Sequence, residues 1–209
     1  MDLTKIINSL KGSKWYLILA VFIGYFLYLF KKPVETIMEL GTEKYLKEVP
    51  KRVNRDVIVN ELLEELMNIC GANRAYIFRF HNGQNYFDGT HKLRMSCEYE
   101  VVGKGIEPQA KFLKDIPTSL YPKFIAEVVD GTMRYEDVRD IKDATTRVTL
   151  KEQGIYSIAV APYFDKNDNL IAMIGVDYVG RKANKDCILE KQIFQKEVNS
   201  IGEAMVNKL

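Results

Sequence analysis

The sequence predicts an α+β domain built on one antiparallel sheet of five to six strands flanked by helices, preceded by a single transmembrane helix. Three observations carry this. Residues 15–30 (WYLILAVFIGYFLYLF) are sixteen positions without a charge, bracketed by Lys14 and by Lys31 and Lys32. Two pairs of β-patterned segments are each joined by a run of turn formers, the pattern of hairpins. Helical stripes fall between and outside these pairs, the arrangement of an α+β fold with one antiparallel sheet.

The apolar run is short for a span. Sixteen residues rising ~1.5 Å each reach ~24 Å, against a hydrocarbon core of ~30 Å. Snorkelling Lys31 and Lys32 close the gap. Trp15, Tyr16 and Tyr28 suit the interfaces, and Gly24 sits among aromatics where a second helix can approach, although no small-xxx-small motif is present. A cleaved signal peptide wants small residues at its end, whereas this run ends Tyr-Leu-Phe-Lys-Lys. The expected organisation is a basic tail over 1–14, a transmembrane helix over 15–32, a helical stalk over 33–50 and a soluble domain over 51–209. Lysines before and after the run nearly balance, so the positive-inside rule leaves orientation open.

The first 32 residues carry five lysines and one aspartate, while the whole chain is +2. The remainder is therefore slightly acidic and lacks the basic footprint of a nucleic-acid binder. Cys70, Cys97 and Cys187 are widely spaced and odd in number, which disfavours a disulfide framework or a zinc site. Free thiols lean towards a reducing compartment, hence towards a cytoplasmic soluble domain on the inner membrane.

Pro33 closes the first helix and Pro50 the stalk. From residue 51, Val53, Val57, Ile58, Leu62, Leu66 and Ile69 make a helical stripe that ends at Gly71. Residues 74–80 alternate as a strand, with Ala75, Ile77 and Arg79 on one face and Tyr76, Phe78 and Phe80 on the other. Residues 81–89 are a loop, and 92–102 a second strand. Residues 117–129 form a helix, capped by Thr118 and Ser119, with Leu120, Phe124, Ile125, Val128 and Val129 inward. A short strand over 132–135 and a helix over 144–153 follow. Residues 155–164 and 170–179 are strands around the Asp165–Asn169 turn. A last helix runs from 184, with Leu189, Ile193, Phe194, Val198, Ile201 and Met205 as its stripe.

This order, together with NRAYIFRFHNG (73–83), SCEYEVVGKGI (96–106), DIPTSL (115–120) and GIYSIAVAP (154–162), resembles the GAF/PAS class of sensor domains. Within that class it resembles a group of GAF-like domains of bacterial and phage proteins whose first strand ends in Phe-His-Asn-Gly, here Phe80 to Gly83. The resemblance implies a six-stranded sheet with a pocket on one face, covered by the intervening helix and loops. The layout of basic tail, membrane helix and soluble domain is also similar to that of T-even bacteriophage holins. In those the soluble domain is periplasmic and an antiholin binds it.

The candidate ligand-binding residues are Arg79, His81, Asn82, Ser96, Glu98 and Glu100. His81 and Asn82 sit at a strand-to-loop junction, where functional groups concentrate; capping of the loop is the competing role. Ser96, Glu98 and Glu100 share one face by alternation, with Cys97, Tyr99 and Val101 opposite. Arg79 is placed to pair with a glutamate. Cys97 with His81 is too few ligands for zinc, and no helix N-terminus is expected beside Cys97 to activate it. Walker A, Rossmann, GxSxG and HExxH motifs are missing. The expectation is a non-enzymatic, single-pass membrane sensor without a cofactor, binding a small molecule or a regulatory protein. It would form a homodimer or higher oligomer through its terminal helices. The alternatives are a holin that permeabilises the host inner membrane, and a structural tether whose GAF-like fold is ligand-free.

Overall fold

The computed structural model describes residues 15–86, 88–135, 137–183 and 190–206. The expected tail over 1–14, Cys187 and Leu189 lie outside them. The chain divides into two compact units, Met1–Val53 and Asn54–Leu209. Helix α1 is continuous over Trp15–Ile69, so neither Pro33 nor Pro50 ends it as expected. A proline removes one backbone donor and crowds the preceding turn, costing about 3 kcal/mol. Strong helix formers on both sides, among them Met38, Leu40, Leu46, Lys47 and Glu48, favour resuming the helix beyond each proline. Among the described residues, no helix is long and apolar enough to cross a membrane. Within α1, Leu19, Ile23, Tyr25, Phe26, Tyr28 and Leu29 are all exposed.

The second unit carries β1 (Arg74–Asn85), β2 (His91–Val102), β3 (Ile116–Pro117), α2 (Pro122–Val129), β4 (Met133–Tyr135), α3 (Ala144–Glu152), β5 (Ile155–Phe164), β6 (Leu170–Val179) and α4 (Lys191–Val206). The six strands form one sheet in the order β3-β2-β1-β6-β5-β4, and every neighbouring pair is antiparallel. The β5–β6 turn is closed by Asp165, whose Oδ1 accepts from the backbone N–H groups of Asn167 and Asn169.

Each face of the sheet has its own core. On one, Ala75, Ile77, Tyr99, Ile174 and Val176 pack with Val59, Leu63 and Leu66 of α1 and with Phe194, Val198, Ile201 and Met205 of α4. Leu63 and Leu66 are fully buried, contributing about 1.5–3 kcal/mol each. Gly202 lies on the buried face of α4, where a Cβ would collide with the Tyr163 ring. On the other face Tyr76, Met95, Cys97, Ile158, Val160 and Met173 pack with Val128 of α2 and with Met133, Val138 and Ile141.

Several expectations are corrected. Leu66 is buried as expected, but the rest of the buried stripe of α1 is Val59, Leu63 and Met67, continued by Cys70 just past its end, while Val53, Val57, Ile58 and Ile69 stay exposed. The helix carries two apolar stripes, and packing on the sheet selects the one that ends at Cys70. Strand β1 continues through His81 and Asn82, which pair with Arg94 and Leu93, so the expected loop is reduced to the residues after Asn85. The helix expected from residue 117 begins at Pro122. Ile116 and Pro117 instead pair with β2, and the Thr118 hydroxyl donates to the Leu93 carbonyl rather than capping a helix. Leu120, Val129 and Ile193, expected inward, are exposed.

Strand β2 breaks strict alternation. Ile77 opposes Tyr99 and Phe78 opposes Cys97, leaving Glu98 as an extra residue. Such a bulge shifts the side-chain phase beyond it. Cys97 therefore faces the second core and Tyr99 the first. Glu100, two residues beyond Glu98, turns inwards to the face that Cys97 occupies, whereas alternation had set it opposite Cys97.

Candidate functional site

A cavity of about 80 Å³ lies on the second face of the sheet, between the strands and the segment carrying α2 and α3. Its walls are mostly apolar, among them Phe78, Met95, Leu113, Phe124, Leu150 and Met173. At one end, Arg74, Tyr76, Glu100 and Asp177 line it. Strand pairing brings them together: Arg74 is in register with Asp177, and Tyr76 with Glu100 on one side and Gly175 on the other. Gly175 has a local reason. A Cβ there would come within 2.8 Å of the Tyr76 hydroxyl and 2.9 Å of the Ala159 carbonyl oxygen, so the missing side chain makes room for the tyrosine.

The ionic side chains here are almost wholly buried. Arg74 Nε lies 3.2 Å from Glu100 Oε1 and Arg74 Nη1 3.5 Å from Asp177 Oδ2, and each side chain is 4% exposed. Arg74 Nη2 donates to the Glu107 carbonyl at 3.1 Å. Glu100 is well satisfied, accepting from the backbone N–H groups of Gln109 and Ala110 at 2.8–2.9 Å. These bonds tie the segment after β2 across the cavity. Asp177 is not satisfied: its Oδ1 has no hydrogen-bond partner, and Arg74 Nε, although near Glu100, is off the hydrogen-bond axis and also lacks one. A buried polar atom without a partner costs about 1–3 kcal/mol, more when charged, which makes it informative.

Burial pushes the Asp177 carboxyl up to about 7, against the opposing pull of Arg74 and Tyr76, and Glu100 adds to the push. Burial, followed by the Asp177 carboxylate, holds the Tyr76 hydroxyl well above its ordinary value. Burial also pushes the Cys97 thiol up to about 12, helped by Glu100 and Asp177. Cys97 is therefore protonated at neutral pH and a poor nucleophile. Among the described residues no group of three or more His, Cys, Asp or Glu is arranged to hold a metal ion.

Of the six candidate residues, the structure brings only Glu100 to the cavity. Arg79 does pair with a glutamate, Glu98, at 3.0 Å, but both side chains are about 40% exposed. His81 Nε2 is 2.9 Å from Ser96 Oγ, which accepts from the Asp115 backbone N–H at 2.8 Å. The first bond joins β1 to β2, and the second holds β2 to the segment before β3. Asn82 is exposed. The membrane candidates Trp15, Tyr16, Gly24, Tyr28, Lys31 and Lys32 all fall within α1.

Sequence reasoning missed Arg74, Tyr76 and Asp177. A signal was available. Asp177 is the one charge in a ten-residue strand, LIAMIGVDYV. A lone charge in a strand buried on both faces requires a buried partner, and Arg74 shares the inward face with Tyr76 and Phe78.

No protein-family model matches the chain, and no curated protein does. Solved structures do. The third GAF domain of Slr1393 from Synechocystis sp. PCC6803, in its photoproduct state, aligns with a TM-score of 0.54 at 16% identity, over 72% of this chain and 92% of that one. The cyanobacteriochrome receptor PixJ gives 0.53 at 13% identity, over 73% and 96%. The phycocyanobilin-bound GAF domain of a cyanobacterial phytochrome gives 0.52 at 18% identity, over 78% and 91%. At such identities the likeness concerns the fold, and the fold is GAF-like.

Proposed function

We propose that this protein is a non-enzymatic sensor, held at the inner membrane by residues 15–32, whose GAF-like domain binds a small molecule in the cavity beside Arg74 and Asp177. One observation carries the reading: an apolar cavity that ends in buried charges, one of them incompletely paired. Apolar walls with a few convergent polar groups are the usual composition of a ligand site. The structural neighbours include domains described as photoreceptors and as bilin-bound. An open-chain tetrapyrrole is many times larger than an 80 Å³ cavity, so the ligand here is smaller. Membrane attachment is supported by the sixteen-residue apolar run and by the exposure of its described side chains. Self-association is supported by the exposed stripe Val53, Val57, Ile58 and Ile69 on α1.

The test is thermal denaturation of the full-length chain against a library of small metabolites. At least one compound should raise the transition, and Leu150→Phe, which narrows the cavity, should abolish the shift. A library that never stabilises the protein refutes the ligand. A reporter fused after Leu209 locates the domain, which the reading places in the cytoplasm. Abrupt lysis on expression with a muralytic enzyme would instead assign the chain a lesion-forming, holin-like role.

A further inference from the structure

Within the cavity the polar groups are unevenly satisfied. Glu100 has its bonds from Gln109 and Ala110 and the Arg74 guanidinium beside it. Asp177 has Arg74 on Oδ2 at 3.5 Å, a long contact, and the Tyr76 hydroxyl beside its carboxylate, yet Oδ1 has no hydrogen-bond partner. One cation thus faces two carboxylates. With both ionised the buried cluster carries an excess negative charge, which a low-dielectric site does not tolerate without a further partner. The partner missing at Asp177 is a donor, and a cationic donor also offsets the excess negative charge; Arg74 Nε, the other atom without a hydrogen bond, already lies 3.2 Å from Glu100 Oε1. Space for it is limited. On a measure where one water needs ~10–15 Å³, 80 Å³ admits only a small molecule, one ring with a short substituent. The walls include Phe78, Tyr121 and Phe124, which suit an aromatic or other flat apolar body.

Resting on the reading of this cavity as the ligand site, we infer that its ligand is a small monocyclic amine or amidine, whose cationic N–H donates to Asp177 Oδ1 while its ring fills the apolar end. A carboxylate ligand is disfavoured, because Arg74 is already shared between two carboxylates. The groups facing Asp177 are Arg74 and Tyr76 from β1 and Glu100 and Cys97 from β2; Tyr121, also in the lining, has its hydroxyl 3.5 Å from that of Thr149. Burial sets the Asp177 carboxyl itself at about 7. Binding a cation favours its ionised form, so affinity should rise with pH through about 7 as the bound carboxyl gives up its proton.

Isothermal titration of the full-length chain with benzylamine, benzyl alcohol, toluene and benzoate tests this. Charge-assisted hydrogen bonds exceed apolar contact enough to expect benzylammonium to bind about tenfold or more tighter than toluene, with benzoate weakest. Repeating the titration at pH 7 in buffers of different ionisation enthalpy should show about half a proton released per benzylammonium bound and none for benzyl alcohol. Asp177→Asn should bring benzylamine down to the level of benzyl alcohol. If that variant does not fold, the proton count on the unaltered chain decides. Equal binding of toluene, benzyl alcohol and benzylamine without proton release would overturn the cationic donor and leave the cavity a binding site. Failure of all four probes to bind would overturn both.

Discussion

Asp177→Asn removes one titratable carboxyl from the interior of the domain and should change how stability depends on pH. The carboxyl sits at about 7 in the folded chain, against an ordinary 3.8 when exposed. Below about pH 4 the folded and unfolded chains both hold the proton, and the stabilising contribution is fully present. Between pH 4 and 7 the unfolded chain releases it and the folded chain keeps it, so stability falls as pH rises. The slope is ~1.4 kcal/mol per pH unit, and over this window the loss is about 4 kcal/mol. Above pH 7 both are ionised and the curve flattens. Asparagine has the shape of the protonated acid and no such titration. Asp137, Asp143 and Asp165 are held below their ordinary values by their hydrogen-bond donors and destabilise both proteins in acid, so their effect cancels in the difference. Urea unfolding of the two proteins at pH 4.5, 6 and 8 reads that difference. The variant should gain on the parent by a few kcal/mol from the lowest to the highest pH. Parallel curves would show that Arg74 holds Asp177 ionised throughout and would refute the account of the buried cluster.

Arg74→Met strands two buried carboxylates and should cost about 3–5 kcal/mol in the same unfolding assay, with a smaller loss when Asp177→Asn is added. Gly202→Ala drives a methyl group into the Tyr163 ring and should lower stability by about 1–3 kcal/mol, read by thermal denaturation. Arg79→Ala and Glu98→Ala break only an exposed pair, so each should change stability by about 1 kcal/mol or less and leave benzylamine affinity unaltered. The Cys97 thiol is buried and pushed up to about 12. Mass spectrometry after iodoacetamide at pH 8 should find it unmodified in the folded protein and alkylated only in denaturant.

The local pattern along the chain determined much of this. Apolar runs on either side of the Asp165–Asn169 turn fixed β5 (Ile155–Phe164) and β6 (Leu170–Val179) to the residue, and the glycine at 154 stops α3 where the sequence implies, while the cap at its start, Asp143, was not anticipated. These features depend on neighbours a few positions away, which a linear reading contains. Three matters depended on partners distant in sequence. Leu66 belongs to the stripe the sequence shows, but a second apolar row runs beside it on α1, and only the sheet beneath selects Val59 and Leu63. A bulge at Glu98 exists because β2 must pair with β1, and it turns Glu100 towards the cavity while leaving Glu98 with Arg79 at the surface. The cluster of Arg74, Glu100 and Asp177 joins residues up to 103 positions apart. The sequence by itself shows that each charge must find a counterpart inside the protein. Which counterpart it finds, and which oxygen is left without one, is decided by strand register, because the backbone ladder places side chains before their charges can choose.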